Sequence, residues 1–458
     1  MSNILWTSTE IATATGGTAV GEWVANGVTF DSREVGPGDL FIALEGASTD
    51  GHRFVPEVLA KGASGVLVSQ PVAGPHVLVA DTMAALQALA VAARRRVMGK
   101  VIGVTGSVGK TGTKEALFAA LDRAAPDHAH RSLKSYNNHT GVPLSLARMP
   151  MCRRFGVFEM GMNHAGELAA LTRLVRPHVA LITAIAPAHT QFFDSIEAIA
   201  DAKAEIFQGL EPGGIAIVPF DSPYGERLAK AAARHADHVV TFGLGEGADV
   251  RALETMRTPG GTFVTARLRG RELGFTINQP GTHWVSNALA VLAAVEAVGA
   301  DVALAGLALA ELGGLPGRGA RVTVPLADGG TALLIDESYN ANPSSMRATL
   351  AVLGAEPARR KLAVLGDMRE LGAESARYHA DLAEPLIGAG VVQAILVGPE
   401  MHALARALEG RLDFVHVPGA SEAQAALRQA LRDGDAVLVK GSNGVGLARL
   451  VAGLEERA

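Results

Sequence analysis

Val101-Ile102-Gly103-Val104-Thr105 runs directly into Gly106-Ser107-Val108-Gly109-Lys110-Thr111 and then into a helix-forming stretch. An apolar run that ends in a glycine loop and reopens as a helix commits this part of the chain to a strand–loop–helix unit. The glycines let backbone N–H groups approach an oxyanion, the new helix presents its positive end, Lys110 adds a point charge, and Thr111 offers a hydroxyl to a magnesium ion. The common eight-residue phosphate loop has a glycine five positions before Gly109, where Val104 stands here, so the loop is a shortened variant. A lysine followed by threonine at the helix start argues against a plain glycine turn. The loop predicts phosphate binding without saying which reaction follows.

The rest of the chain extends this pattern. From Val101 onward, short apolar runs (Gly156–Phe158, Val179–Ile185, Ile215–Val218, Val239–Phe242) alternate with helix-length patterns, as in a parallel sheet covered on both faces. A hairpin over 260–268 and 272–277 follows, then an Ala-rich helix over about 283–298. Leu312-Gly313-Gly314-Leu315-Pro316-Gly317-Arg318-Gly319 is rich in breakers and marks a junction. Beyond it five strand–helix units suggest a smaller doubly wound domain. Residues 1–98 read as a separate mixed α/β module, with Asp81 capping a helix that ends in Arg94-Arg95-Arg96, a triplet expected to be a solvated helix end. The predicted fold is therefore α/β in three domains, 1–98, 99–315 and 316–458.

Composition narrows the functional classes. Against 46 acidic residues stand 41 Lys and Arg, a net charge of −5, which gives no electrostatic reason to expect a nucleic-acid partner. A single cysteine, Cys152, excludes an internal disulfide and suggests a reducing compartment. The stretches free of charge are broken by Pro71, Pro75 and Pro280, so no membrane span is expected. The opening residues lack the basic and long apolar regions of a secretory signal. The expectation is a cytoplasmic protein that is not membrane-embedded.

Glu159 closes the run Gly156–Phe158, and His189 follows the run Val179–Ile185. Both would stand on the same rim of the sheet as the phosphate loop, where a magnesium ligand belongs. Taken singly, each has a structural explanation, a capping carboxylate or a hydrogen-bonded histidine. Lys203 falls on a helix pattern, and sequence physics alone leaves it an ordinary surface lysine.

The combined motifs resemble those of the Mur ligases, ATP-dependent amide-forming ligases of peptidoglycan precursor synthesis. The resemblance spans nearly the whole chain. Asp31-Ser32-Arg33, Gly38–Leu44 and Asp50–Phe54 are similar to a UDP-sugar-binding N-terminal module. Thr105–Thr111 matches the family's shortened phosphate loop, and Asn137-Asn138-His139-Thr140-Gly141-Val142-Pro143 matches a second family segment. Ser338–Met346 and Gly366–Gly372 match the branch that adds D-alanyl-D-alanine to a UDP-N-acetylmuramoyl tripeptide.

The resemblance implies a mixed α/β UDP-substrate module, a central P-loop-type parallel-sheet ATPase domain and a C-terminal Rossmann-like domain that takes the dipeptide. It implies ATP contacts at Thr105, Gly106, Ser107, Val108, Gly109, Lys110, Thr111, Asn287, Arg318, Asp336 and Glu337, and UDP-substrate contacts at Ser32, Arg33, Asn137 and Asn138. Lys110, Glu159, His189 and Lys203 would form the catalytic group. Thr111 and Glu159 would hold one magnesium ion; Glu159, His189 and a carbamate on Lys203, made from CO2, would hold a second. A carbamate is an anionic oxygen ligand suited to a hard cation, whereas an ammonium would repel it. A monomer is expected.

Three positions depart from the family pattern. Thr190-Gln191-Phe192-Phe193 replaces Leu-Glu-x-Phe, Glu337 stands for a second aspartate, and Asn443 ends a Lys-Gly-Ser block usually closed by arginine. The rival readings are a ligase of the same superfamily with another acceptor, a kinase, or a nucleotide-binding regulator without catalysis.

Overall fold

Three main sheets and the helices packed on them order residues 4–46, 49–188, 190–258, 261–326 and 329–455, which the computed structural model describes. The largest sheet has nine strands in the spatial order Arg271–Ile277, Gly261–Leu268, Val250–Thr258, His238–Gly243, Ile215–Pro219, Val179–Ile182, Lys100–Thr105, Phe155–Glu159, Ala129–Arg131. Pairing is parallel from Ala129–Arg131 across to Val250–Thr258 and antiparallel in the last two ladders.

The near-continuous apolar strands follow from burial on both faces. Ile102 and Val104 enter one core while Val101 enters the other, and Val179 and Leu181 oppose Ala180 and Ile182 in the same way. The helix Thr282–Ala297 lies inside the first of these cores, which explains why it is apolar almost all round.

The third sheet has the order Ala320–Pro325, Thr331–Glu337, Asp435–Lys440, Arg360–Gly366, Val391–Val397, Asp413–Val417, with only the first ladder antiparallel. The N-terminal sheet orders Thr18–Val20, His76–Leu78, Gly65–Val68, Asp39–Ile42 and Gly27–Thr29. Among the described residues, no helix is long and apolar enough to cross a membrane.

Several strands have no counterpart among the runs expected from sequence: Val250–Thr258 and Ala320–Pro325, but also Ala129–Arg131 and, in the N-terminal sheet, Thr18–Val20, Gly27–Thr29 and Asp39–Ile42. The basic triplet also differs from expectation. Asp81 does cap the helix Thr82–Arg96, but Arg94 is buried and donates to Val175 O (2.8 Å) and Arg176 O (2.7 Å), while Arg96 lies 3.8 Å over the Trp6 ring. An arginine fork satisfies two carbonyls at a helix end, so Arg94 joins the N-terminal module to the central one, while Arg95 remains exposed as expected. A second tie sits nearer the site, where Lys134 pairs with Glu34 and the Phe30 and Tyr136 rings lie 5.7 Å apart.

Candidate active site

The site grows from the carboxyl ends of adjacent parallel strands, where loops emerge on one rim. Lys100–Thr105 leads into the phosphate loop and the helix Lys110–Ala124. Gly109 holds a left-handed φ of 85°, open to glycine without strain, and it cannot cap that helix with a side chain. The first-turn amides are therefore left for an anion. A Cβ on Gly106 would run into Thr183 Oγ1, which itself donates to Val108 O at 2.5 Å; Ser107 N donates to Ala184 O at 2.8 Å. The loop is thus braced by the end of the neighbouring strand. Thr105 Oγ1 and Ser107 Oγ are buried and have no hydrogen-bond partner among the described residues. Orphaned polar atoms in a glycine cradle fit a polyphosphate.

Lys110 Nζ donates to Gly106 O at 2.7 Å. Burial pushes its pKa down and Arg318 adds to this, against the opposing pull of Glu159. Thr111 Oγ1 donates to Glu159 Oε2 at 2.9 Å, and Asn137 Nδ2 donates to Glu159 Oε1 at 2.8 Å. Glu159 is only 1% exposed. A hydroxyl and a carboxylate beside a phosphate cradle form a donor set that fits magnesium.

Lys203, on the last turn of the helix Ile196–Ala204, is 1% exposed. No described residue gives it a hydrogen bond or a salt bridge. Burial holds its pKa well below the ordinary lysine value, and the nearby Lys110 lowers it further. Such surroundings favour the neutral amine, the form that reacts with CO2, so the position fits a carbamate. His189 lies outside the described residues.

The third domain reaches into the same site. Arg318 stacks 3.9 Å over the Tyr339 ring and donates to Ser135 Oγ at 3.3 Å; Ser135 Oγ is 3.4 Å from Thr111 Oγ1. Asp336 does not face this cluster. Its carboxylate accepts from Gly317 N (2.6 Å), Ser338 N (3.0 Å) and Ser338 Oγ (2.6 Å), so it fixes the turn that carries Arg318. Glu337 accepts from Lys440 Nζ at 3.3 Å and lines a hollow between the two domains with Gln279, His283, Trp284 and Gly319. Burial, helped by Lys440, lowers the His283 pKa to about 4. Asn287 lines a second hollow beyond Trp284 and stands near Gly109, where a Cβ would come within 2.9 Å of its Oδ1.

The expected UDP-substrate residues sit on the opposite seam. Arg33 is exposed and pairs with Asp31 at 2.6 Å, which brings the Asp31 carboxyl down to about 2. Lys61 Nζ donates to Ser32 O at 3.0 Å. Asn138 Oδ1 accepts from Gly141 N and Thr140 Oγ1, both at 2.9 Å, and so shapes the start of the helix Gly141–Ala147. Asn137 stands between that seam and Glu159. Ser135, Trp284 and Lys440 carry parts of this geometry and were given no role from sequence. Only their neighbours in the quoted motifs pointed toward them.

Known proteins are similar to this chain in sequence and fold. A family model described as "Mur ligase middle domain" matches residues 104–295, "Mur ligase, glutamate ligase domain" matches 321–443, and "Mur ligase family, catalytic domain" matches 24–102. The chain is 35% identical to an Escherichia coli protein named UDP-N-acetylmuramoyl-tripeptide–D-alanyl-D-alanine ligase, over 94% of this chain and 93% of that one. A Rickettsia prowazekii protein of the same name is 31% identical over 98% and 99%. A crystal structure of MurF from Acinetobacter baumannii superposes with a TM-score of 0.85 at 33% identity, covering 98% of this chain and 99% of that one. MurF ligase from Thermotoga maritima in complex with ADP gives a TM-score of 0.77 at 27% identity, over 94% and 98%. With full-length identity above 30% and all three family segments matched in order, the chain belongs to the Mur ligase family.

Proposed function

We propose that the chain is an ATP-dependent ligase that joins D-alanyl-D-alanine to UDP-N-acetylmuramoyl tripeptide, yielding the pentapeptide, ADP and phosphate. The observation that carries this reading is a phosphate cradle whose Thr111–Glu159 pair and buried amine, Lys203, stand together beneath an arginine delivered by the third domain. The relatives named for this reaction supply the substrate identities.

In this reading the tripeptide's terminal carboxylate attacks the γ-phosphorus and the bond to ADP breaks. The dipeptide amine then attacks the acyl carbon, phosphate leaves with the bonding pair, and the ammonium loses a proton. Two anions must meet in the first step, so positive charge is the main requirement. Lys110 and the loop amides hold the transferring phosphoryl group, Arg318 approaches from the other side, and Asp336 keeps it aimed. Magnesium, held by Thr111 and Glu159 and by a second set of Glu159, His189 and carbamylated Lys203, would neutralise charge on the phosphates. Residues 1–98 would receive the UDP moiety with Ser32 and Arg33, aided by Asn137 and Asn138 at the seam. Residues 99–315 would hold ATP with Asn287 beside the loop, and residues 316–458 would bring the dipeptide together with Arg318, Asp336 and Glu337. A cytoplasmic monomer fits soluble nucleotide-linked substrates.

The test is to supply ATP, magnesium, UDP-MurNAc-tripeptide and D-Ala-D-Ala, then measure phosphate release and the mass of the nucleotide product. A gain of one dipeptide per phosphate is expected. Phosphate transfer to a stable acceptor, or product formation with glutamate instead of the dipeptide, would overturn the reading.

A further inference from the structure

One turn beyond Lys110 and Thr111, the same helix carries Lys114, whose side chain is fully buried. Burying an ammonium is costly unless each of its three N–H donors finds a partner. All of them do: Nζ donates to Lys134 O (2.6 Å) and Ser132 O (3.1 Å) and pairs with Glu115 Oε1 at 2.8 Å. Glu115 belongs to the helix itself and is also held by Arg131 at 2.9 Å. The two carbonyls lie in the loop that leaves the strand Ala129–Arg131. A buried charge spent on main-chain oxygens fixes the path of a loop.

That loop carries what surrounds Glu159. Ser132 Oγ accepts from Glu159 N at 3.2 Å, Ser135 Oγ lies 3.4 Å from Thr111 Oγ1, and Asn137 Nδ2 donates to Glu159 Oε1 at 2.8 Å. Its ends are pinned to the neighbouring strand and the residues after it, where Ser132 N donates to Val157 O (2.9 Å) and Gly161 N donates to Asn137 O (2.7 Å). Between those anchors the backbone is strained. Lys134 has a φ of 48°, in the left-handed region that a side chain makes unfavourable. The carbonyl of this same residue receives the shorter of the two Lys114 bonds. The Lys134 side chain is 62% exposed and pairs with Glu34 of the N-terminal module.

We propose that Lys114 is a positioning residue for the metal site: its ammonium holds residues 132–137 in the path that aims Asn137 at Glu159 and Ser135 at Thr111. It acts through the loop, since its donors are all spent on the protein. This rests on the assignment of Thr111 and Glu159 to magnesium in the ligase reading above.

The experiment titrates Mn2+, a paramagnetic stand-in for magnesium, into the full-length protein with a non-hydrolysable ATP analogue and reads the bound ion by electron paramagnetic resonance. Lys114→Met keeps the length of the side chain, removes both carbonyl bonds and leaves Glu115 with Arg131. It should weaken Mn2+ binding by roughly ten- to a hundredfold, the cost of losing a group that orients a metal ligand, and raise the magnesium needed for half-maximal ligation to match. KM for D-Ala-D-Ala should not move. Two substitutions at the exposed Lys134 probe the loop with Lys114 intact, and they decide the matter even if Lys114→Met does not fold. Lys134→Pro forces φ to about −65° and should bind Mn2+ as weakly as Lys114→Met. Lys134→Gly, free to keep a positive φ, should stay within about threefold of the wild type, because the exposed pair with Glu34 adds little. A folded Lys114→Met with wild-type Mn2+ affinity, even at a lowered melting temperature, would make the lysine merely structural and overturn the proposal. Equal affinities in the proline and glycine variants would overturn it as well. A wild type that binds no Mn2+ beside the analogue would overturn the magnesium assignment and this proposal with it; in the other two failures the wild type still binds.

Discussion

The proposed function gives the two lysines of the site opposite jobs, and their surroundings differ accordingly. Burial pushes Lys110 down, but Glu159 nearby opposes this in part, and in the proposed role Lys110 serves as a cation on the phosphates. Lys203 is buried near another cation, so its surroundings favour the neutral amine. Lys110→Ala should therefore abolish ATP turnover while leaving the melting temperature near that of the wild type; an unchanged rate would discard the phosphate-loop assignment. Lys203→Ala should lose at least ~100-fold in ligation, in keeping with removal of a metal-site ligand. A short-chain carboxylic acid should restore part of that loss, because it returns an anionic oxygen to the space. Full activity without rescue would remove the carbamate. Asp336 is read differently from a direct ATP ligand: its oxygens are taken up by Gly317 and Ser338. Asp336→Ala should weaken ATP binding through a misplaced Arg318, so adding Arg318→Ala should cost little more. Additive losses in the double variant would assign Asp336 its own contact. The loop residues were legible because they are contiguous. Asp336 was legible as important while its bonds to Gly317, 19 residues back, and to Ser338 were not.

At the scale of elements, most strands of the central sheet buried on both faces were readable as apolar runs, whereas two more exposed ones, Val250–Thr258 and Ala320–Pro325, were not. Val250–Thr258 carries Arg251, Glu254 and Arg257, which break the apolar signal of a strand whose outer part is exposed. Ala320–Pro325 pairs on one side only and ends in proline, a residue confined to sheet edges, and it follows a glycine-rich junction that reads as loop. The ladders also contain a titratable link. His178 Nδ1 accepts from Val101 N at 3.0 Å, where the strand Lys100–Thr105 begins, and its pKa falls to about 4 through burial and the charges of Arg94 and Lys100. His130, which bonds Ser145 O at 2.8 Å, is likewise lowered to about 4 by burial. In the unfolded chain a histidine takes up its proton near pH 6.5, so between there and 4 the unfolded state binds more protons. Stability is therefore full above 6.5 and falls as pH drops toward 4. The melting temperature should decline by a few degrees between pH 7 and 5, at about 1 kcal/mol per histidine after allowance for partial exposure. His178→Asn, whose Oδ1 can accept the same amide without titrating, should flatten part of that decline. An unaltered slope would show that His178 is not a source of it.

Across the whole molecule the catalytic parts come from different domains, so activity depends on how the domains are held. Arg318 reaches Ser135 from beyond the glycine-rich junction, and Thr190 and Gln191 bond the loop that carries Arg369. The seam is pinned a third time away from the chemistry. The Glu356 side chain is 4% exposed and accepts from Arg321 at 2.6 and 3.0 Å and from Arg257 at 3.3 Å. Arg321 belongs to the third sheet and Arg257 to the antiparallel extension of the central one, so the buried carboxylate spans the two. Arg257 is 43% exposed, which limits its share to at most about 1 kcal/mol. That is enough to shift a closure equilibrium roughly fivefold. Closure has a specific task here, because an acyl phosphate that meets water is hydrolysed and its ATP is spent without a bond. Arg257→Ala should therefore fold normally and still ligate, but release more than one phosphate per pentapeptide formed, with the excess growing at high salt as the remaining seam contacts are screened. Glu356→Gln should do the same more strongly, since it leaves the Arg321 guanidinium at the seam without its carboxylate. A strict one-to-one ratio in both variants would mean that the seam is held by the contacts at Arg318 and Gln191 alone, and that the antiparallel extension plays no part in keeping water out.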